Sequence, residues 1–196
     1  MELDRTYWET RYTGQETGWD VGAVTTPLKE YFDELADKGL AILIPGGGRS
    51  YEAEYLHRAG FTDVHVIDLT DAPFIDLLAR CPEFPKEHLH VGDFFAHEGP
   101  YDRIIEQTFY CALDPALRER YVAHMHALLR PGGRLVGLLF NDPLNEDRPP
   151  FGGDREAYLP LFRKCFPDVQ LDPCYNSIAP RAGRELWVRA LRAPAE

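Results

Sequence analysis

Three consecutive glycines, Gly46 to Gly48, follow directly on an apolar run, and Asp68 closes a second apolar run about 20 residues later. Glycines after a strand let a ligand approach the backbone, and a carboxylate at the end of the next strand can accept hydrogen bonds from ribose hydroxyls. Dinucleotide sites place a third glycine three residues after the second, so that helix and strand pack closely around a pyrophosphate. Here Gly46 and Gly48 fill the first two places and Tyr51 fills the third. The pattern predicts a ligand that has a ribose and lacks a pyrophosphate. S-adenosylmethionine meets that description. A plain tight turn is the other use of such glycines, and Asp68 in its place argues against it.

Further residues fall where such a ligand would need them. Ligands of parallel sheets bind outside the carboxyl ends of the strands. Asp93 ends a third run, in Gly-Asp-Phe-Phe, where it could accept from an adenine amino group while Phe94 packs on the ring. Capping a turn is the plainer role for the same aspartate. Glu106 and Gln107 end a fourth run, near the methionine part of the ligand. A buried glutamate there must pair, reach solvent or serve. Trp8, Tyr12 and Trp19 lie among Gly14, Gly18 and Gly22, in a stretch too broken for one regular helix throughout. Aromatic faces over a sulfonium would attract it by about 0.5–2 kcal/mol; packing against the sheet is the alternative. Asp20, beside Trp19, is the candidate weak base. Cys111 reads as a packing cysteine. His124 and His126 face different ways on a helix, and His88 and His90 flank a strand, so no metal site is expected.

The elements that must hold these residues alternate along the chain. Residues 41–46, 63–68, 89–93, 101–108 and 134–141 read as strands. Residues 50–60, 71–81 and 114–133 read as helices, the last ended by Pro131-Gly132-Gly133. Strands separated by helices of this length are βαβ units in a parallel, doubly wound α/β sheet. Residues 142–153 are rich in proline and glycine, and helicity resumes near Asp154. Residues 169–192 read as a hairpin, which makes the final strand antiparallel.

Composition sets the outer limits. The 196 residues fit a single domain, are 44% hydrophobic and 12% aromatic, and so are globular in composition. With 21 basic against 32 acidic residues the net charge is −11, the wrong sign for a protein that grips nucleic-acid phosphates. No apolar run reaches the roughly 18 residues of a membrane span, and the charged, aromatic N-terminus does not read as a signal peptide. The 4 cysteines are scattered without a Cys-x-x-Cys pair. A cytoplasmic protein with a small-molecule partner, and no nucleic-acid or membrane partner, is expected.

Seven stretches, in order, carry a more specific likeness: YWETRYTGQETGWDVG, ILIPGGGRSYEAEYL, VIDLT, GDFF, YDRIIEQTFYCALDPALRERY, LLRPGGRL and SIAPRAGRELW. Together they resemble the thiopurine S-methyltransferase family of S-adenosylmethionine-dependent methyltransferases, above all its bacterial members. The resemblance implies a Rossmann-like class I methyltransferase, with a mostly parallel seven-stranded sheet, helices on both faces and an antiparallel C-terminal hairpin strand. It implies S-adenosylmethionine as cofactor, covered by an N-terminal segment, residues 1–22, that carries Trp8, Tyr12 and Trp19. Gly46, Asp68, Leu69, Asp93, Phe94 and Gln107 fall on the cofactor cleft. Thiopurine-methylating members have an arginine where this chain has Gln107. Arg181 matches a position near substrate. Phe109 and Tyr110, in the family-specific TFYCALDP stretch, join it on the substrate side, with the 142–153 loop over the cleft.

The activity so implied is methyl transfer to a small soft nucleophile, a thiol or a thiolate-like or halide-type anion. Methyl transfer to oxygen or nitrogen of a small metabolite is the rival within the class. A non-catalytic S-adenosylmethionine-binding protein and a dehydrogenase are the rivals outside it, and Tyr51 argues against the last.

Overall fold

The computed structural model describes residues 3–195. The strands are β1 (Ile42–Pro45), β2 (Val64–Asp68), β3 (Leu89–Val91), β4 (Tyr101–Gln107), β5 (Leu129–Phe140), β6 (Asp168–Pro173) and β7 (Glu185–Leu191). They form one 7-stranded sheet in the order β3-β2-β1-β4-β5-β7-β6. β7 runs antiparallel to both β5 and β6, as the hairpin pattern requires. The expected α/β fold is the observed one. The chain divides into two compact units, with the break between His97 and Glu98.

In the first unit β1 is buried at all 4 positions, as a strand covered on both faces should be. It pairs in parallel with β2, and β2 with β3, so that Asp68 stands opposite Val91. Two helices follow these strands, α3 (Tyr51–Arg58) and α4 (Ala72–Arg80). Each buries an apolar pair one turn apart, Ala53 with Leu56 and Phe74 with Leu77. Ahead of β1 lie α1 (Arg5–Thr13) and α2 (Thr26–Glu34). Asp4 caps α1 by accepting from the Tyr7 N–H at 2.9 Å, and Gly14 closes it by donating to the Thr10 carbonyl at 2.9 Å. The N-terminal segment is thus regular up to Thr13 and irregular beyond it. Sequence reading passed over α2, although Pro27 in its first turn and the buried Leu28 and Phe32 signal it.

In the second unit the helix expected over 114–133 is shorter. Pro115–Leu117 makes a 3₁₀ turn, α5 spans Arg118–Leu128, and β5 already begins at Leu129. Leu129 pairs with Tyr101 and the ladder resumes at Arg103 and Arg134, so Pro131 to Gly133 lie in an irregularity of the strand. Gly132 takes the left-handed conformation there, at φ +80°. α6 (Arg155–Arg163) starts on Asp154, which accepts from the Ala157 N–H at 2.8 Å. The 142–153 loop closes on itself, with Asp142 and Gly153 exchanging backbone bonds of 2.9 and 3.0 Å. Phe151 pins it by donating to the Cys111 carbonyl at 2.7 Å. Among the described residues no helix is long and apolar enough to cross a membrane.

Glu106, near the end of β4, is fully buried and fully partnered. Its Oε1 accepts from the N–H groups of Phe109 (2.8 Å) and Tyr110 (2.9 Å), and its Oε2 from the Tyr121 hydroxyl (2.5 Å). Of the three possibilities left by the sequence, pairing is the one realised. The carboxylate fixes the turn after β4, where Thr108 adopts φ +60°. Glu106→Ala would strand three buried donors at about 1–3 kcal/mol each. It should lose at least about 3 kcal/mol in denaturant unfolding, whereas Glu106→Gln, which keeps the Oε1 acceptor, should lose less than half as much. Equal losses in the two variants would contradict this role.

Candidate functional site

The glycine loop is built at backbone distance from its surroundings. The Gly46 N–H donates to the Ile67 carbonyl at 2.8 Å and so extends the pairing of β1 with β2. Gly46 and Gly48 are left-handed, at φ +57° and +52°. A Cβ on Gly47 would stand 2.8 Å from Val66 Cγ1, so the crossing over β2 has no room for a side chain. Tyr51, in the third glycine place, opens α3 with the Arg80 guanidinium 4.3 Å from its ring centre.

The N-terminal aromatic residues come together above that loop. Trp19 meets Trp8 (ring centres 5.7 Å apart) and Tyr12 (5.9 Å) edge to face. A Cβ on Gly48 would lie 3.5 Å from Trp19 Nε1 and 3.6 Å from the Tyr12 hydroxyl, so both polar tips point at the loop. Three polar contacts hold the segment down. The Thr70 hydroxyl donates to Glu9 at 3.3 Å, Arg5 lies 3.8 Å from Asp71, and Arg49 pairs with Asp20 at 3.0 Å. Asp20 also accepts from the Gly22 N–H at 2.8 Å. Glu9, Arg49 and Thr70 escaped the sequence reading, because no spacing rule links residues so far apart in the chain.

Asp68 ends β2 as predicted. Burial pushes its carboxyl up to about 7, against the opposing pull of the Thr70 and Leu69 backbone amides. The Tyr12 hydroxyl is raised as well, first by burial and then by the Asp68 charge. Leu69 is half-buried beside it. Asp93 is exposed and its Oδ1 accepts from the Phe95 N–H at 2.9 Å, which is the turn-capping role. Phe94 is only 5% exposed, committed to packing, and Phe95 is the more open ring of the pair.

The candidate residues of the second unit, Gln107 on the cofactor side and Phe109, Tyr110 and Arg181 on the substrate side, range from half-buried to buried. Gln107 and Phe109 are half-buried at the end of β4 and just after it. Tyr110 is a core residue, its ring centre 4.9 Å from Tyr121 and 5.2 Å from Tyr158, and it lines only a small cavity of about 10 Å³, room for roughly one water molecule. Cys111 lines the same cavity, and burial pushes its thiol up to about 12, so it stays protonated and packs. Arg181 is the residue matched to a position near substrate. It is 7% exposed, because the 3₁₀ turn Ala179–Arg181 folds it back onto Glu185 (3.6 Å) and over the Phe140 ring (5.7 Å).

A sheet of this order, with a glycine loop after β1 and an acidic end to β2, is the framework of class I methyltransferases. The crystal structure of Burkholderia thailandensis 1,6-didemethyltoxoflavin-N1-methyltransferase, with bound 1,6-didemethyltoxoflavin and S-adenosylhomocysteine, is similar at a TM-score of 0.75 and 20% identity, over 96% of this chain and 87% of that one. A TehB-like SAM-dependent methyltransferase from Corynebacterium glutamicum is similar at 0.65 and 18%, over 95% and 97%. Residues 3–185 match the family model for Thiopurine S-methyltransferase (TPMT), and the chain belongs to that family. Probable thiol methyltransferase 2 of Arabidopsis thaliana is 26% identical over 189 residues, 91% of this chain and 81% of the relative. Thiopurine S-methyltransferase of Vibrio parahaemolyticus is 26% identical over 178 residues, 81% and 82%. Thiocyanate methyltransferase 1 of Arabidopsis thaliana is 23% identical over 186 residues, 91% and 81%.

The raised Asp68 carboxyl has a consequence for stability. A carboxyl whose folded-state pKa lies above its unfolded value stabilises the fold below the unfolded value, and that contribution is lost as pH rises through the folded one. For Asp68 the window runs from the ordinary aspartate value of 3.8 to about 7. Asp68→Asn removes the titration. The variant should therefore gain on the native protein between pH 4 and pH 8, by at most about 4 kcal/mol. Thermal melts of both proteins across that range test this; a constant difference would contradict a carboxyl that burial lifts to about 7.

Proposed function

We propose that this chain transfers the methyl group of S-adenosylmethionine to a small soft nucleophile, a thiol or a thiolate-like or halide-type anion. The observation that carries this reading is the Asp68 carboxyl, held out of water beside a side-chain-free glycine loop, in a member of an S-methyltransferase family. The residues present fit the cofactor. Asp68 offers acceptor oxygens to ribose hydroxyls, Gly46 to Gly48 admit close approach, and Trp8, Tyr12 and Trp19 offer aromatic faces to a cation. S-adenosylmethionine, when bound, supplies a methyl group on a positively charged sulfur. Relatives named for thiol, thiopurine and thiocyanate substrates share an acceptor of soft sulfur.

The chain's own work is desolvation and alignment. Joining an anionic nucleophile to a sulfonium methyl cancels two charges, so a site that strips water from the anion lowers the barrier. Holding the acceptor in line with the methyl group supplies further rate. The new bond forms to the acceptor sulfur, and the leaving sulfur keeps the electron pair of the bond that breaks. No protein nucleophile is required, and Cys111 is held as a thiol. Arg181 can serve an anionic acceptor only by sharing a guanidinium that already faces Glu185. The 4 free cysteines accord with a reducing, cytoplasmic setting.

Asp20 is the proposed proton acceptor for thiols that arrive un-ionised. Its oxygens also engage Arg49 and Gly22, so a base and a tether must be told apart. The test is formation of S-adenosylhomocysteine with hydrosulfide, an aryl thiol, an alkyl thiol, thiocyanate and iodide, alongside a catechol and an amine. Turnover should appear with the soft acceptors. Turnover confined to the catechol or amine, or cofactor binding with no turnover on any of them, would overturn the proposal. In the same assay Asp20→Asn should slow the alkyl thiol about tenfold or more at neutral pH. Thiocyanate and iodide, which bring no proton, should be unaffected; equal loss on every acceptor would reduce Asp20 to a tether.

A further inference from the structure

Opposite the expectation from spacing, four of the chain's histidines gather at the β2–β3 edge. Side chains alternate along a strand, so Asp63 and His65 share one face, and the parallel register brings His88 and His90 to that same face. The rings of His65 and His88 stack with centres 4.1 Å apart, His90 lies 5.2 Å from His65, and His97 lies 4.9 Å from His90.

We infer that Asp63, His65 and His88 form a binding site for one divalent transition-metal ion of the zinc class. One ligand atom from each lies within 4.8 Å of the other two. His65 Nε2 is 2.8 Å from Asp63 Oδ1, and its other ring nitrogen, Nδ1, is 2.9 Å from His90 Nε2. That second bond is the kind a metal-bound imidazole makes through its free nitrogen, fixing its ring and tautomer. His88 supplies the independent sign. Its Nδ1 is enclosed without a hydrogen-bond partner among the described residues, a condition that buried polar nitrogens rarely keep. Two imidazoles and a carboxylate suit zinc, with solvent completing the shell.

Bonds of about 2.0–2.2 Å require ligand atoms no more than roughly 3.5 Å apart; Asp63 and His65 meet that already at 2.8 Å, and His88, within 4.8 Å of both, needs at most a small side-chain shift to join them. Asp63 is 42% exposed and His65 18%. A second group, His57, Cys81 and Glu83, satisfies the same distance limit. Its cysteine is wholly buried and already donates to Glu83 at 3.3 Å, which favours the histidine edge.

The experiment is calorimetric titration of the full, tag-free, EDTA-stripped chain with zinc chloride at pH 7.5. One equivalent should bind with a micromolar or tighter dissociation constant and raise the melting temperature. His88→Gln and Asp63→Asn, checked by circular dichroism for an intact fold, should each weaken binding about tenfold or more. Cys81→Ser should bind as the native chain does. Absence of saturable binding, retention of full affinity in both His88→Gln and Asp63→Asn, or loss of binding in Cys81→Ser would each overturn the site.

Discussion

Asp68 holds a carboxyl at the end of β2 where burial lifts it to about 7, and only the backbone amides of Thr70 and Leu69 offset that loss of water. Glu106, near the end of β4, is lifted to about 7 by the same cause. The two differ in their partners. Glu106 accepts from two backbone N–H groups and a tyrosine hydroxyl, which satisfies it internally and fixes a turn. Asp68 keeps acceptor capacity that nothing among the described residues fills. A desolvated carboxylate with spare lone pairs is costly for the fold alone and useful to a ligand that brings hydroxyl donors. Thr70 links this end of β2 to the N-terminal segment, because its N–H donates to Asp68 while its hydroxyl donates to Glu9.

Function and stability therefore pull against each other at Asp68. An asparagine would suit the empty fold better as pH rises, yet it would give the ribose a weaker acceptor with a donor on one side. The covering segment carries the same tension. α1 has no fully buried residue, so its hold on the unit comes from half-buried rings and two polar contacts, with Arg49 and Asp20 adding a third just beyond the helix. Methyl transfer that annihilates charge benefits from a cover of this kind, because the step is fastest where water is absent.

Local chemistry made part of this arrangement legible in the sequence. Gly46, Gly48 and Asp68 could be read because strand ends, glycine conformation and carboxylate placement follow short-range rules. The parallel strands and the closing hairpin followed from periodicity. What escaped depends on turns and long-range docking. The enclosure of Arg181 follows from the 3₁₀ turn that carries it to Glu185. The start of β5 at Leu129 overrides the stop signal of Pro131-Gly132-Gly133, because pairing with Tyr101 outweighs the local preference. Phe94 and Phe95 could not be ranked by exposure, and the joining of Asp63 with His65, His88 and His90 needs the β2–β3 register.

The proposed grip of Asp68 on a ribose is open to direct measurement. The most direct measurement is a cycle of four dissociation constants, with native protein and Asp68→Asn each titrated with S-adenosylhomocysteine and with its 2′,3′-dideoxy analogue. The native protein should lose about 1.5–3 kcal/mol when the hydroxyls are removed, the range for hydrogen bonds to a charged group. The variant should lose far less, which leaves a coupling close to the whole effect. Equal losses in the two proteins would mean that Asp68 and the ribose do not meet.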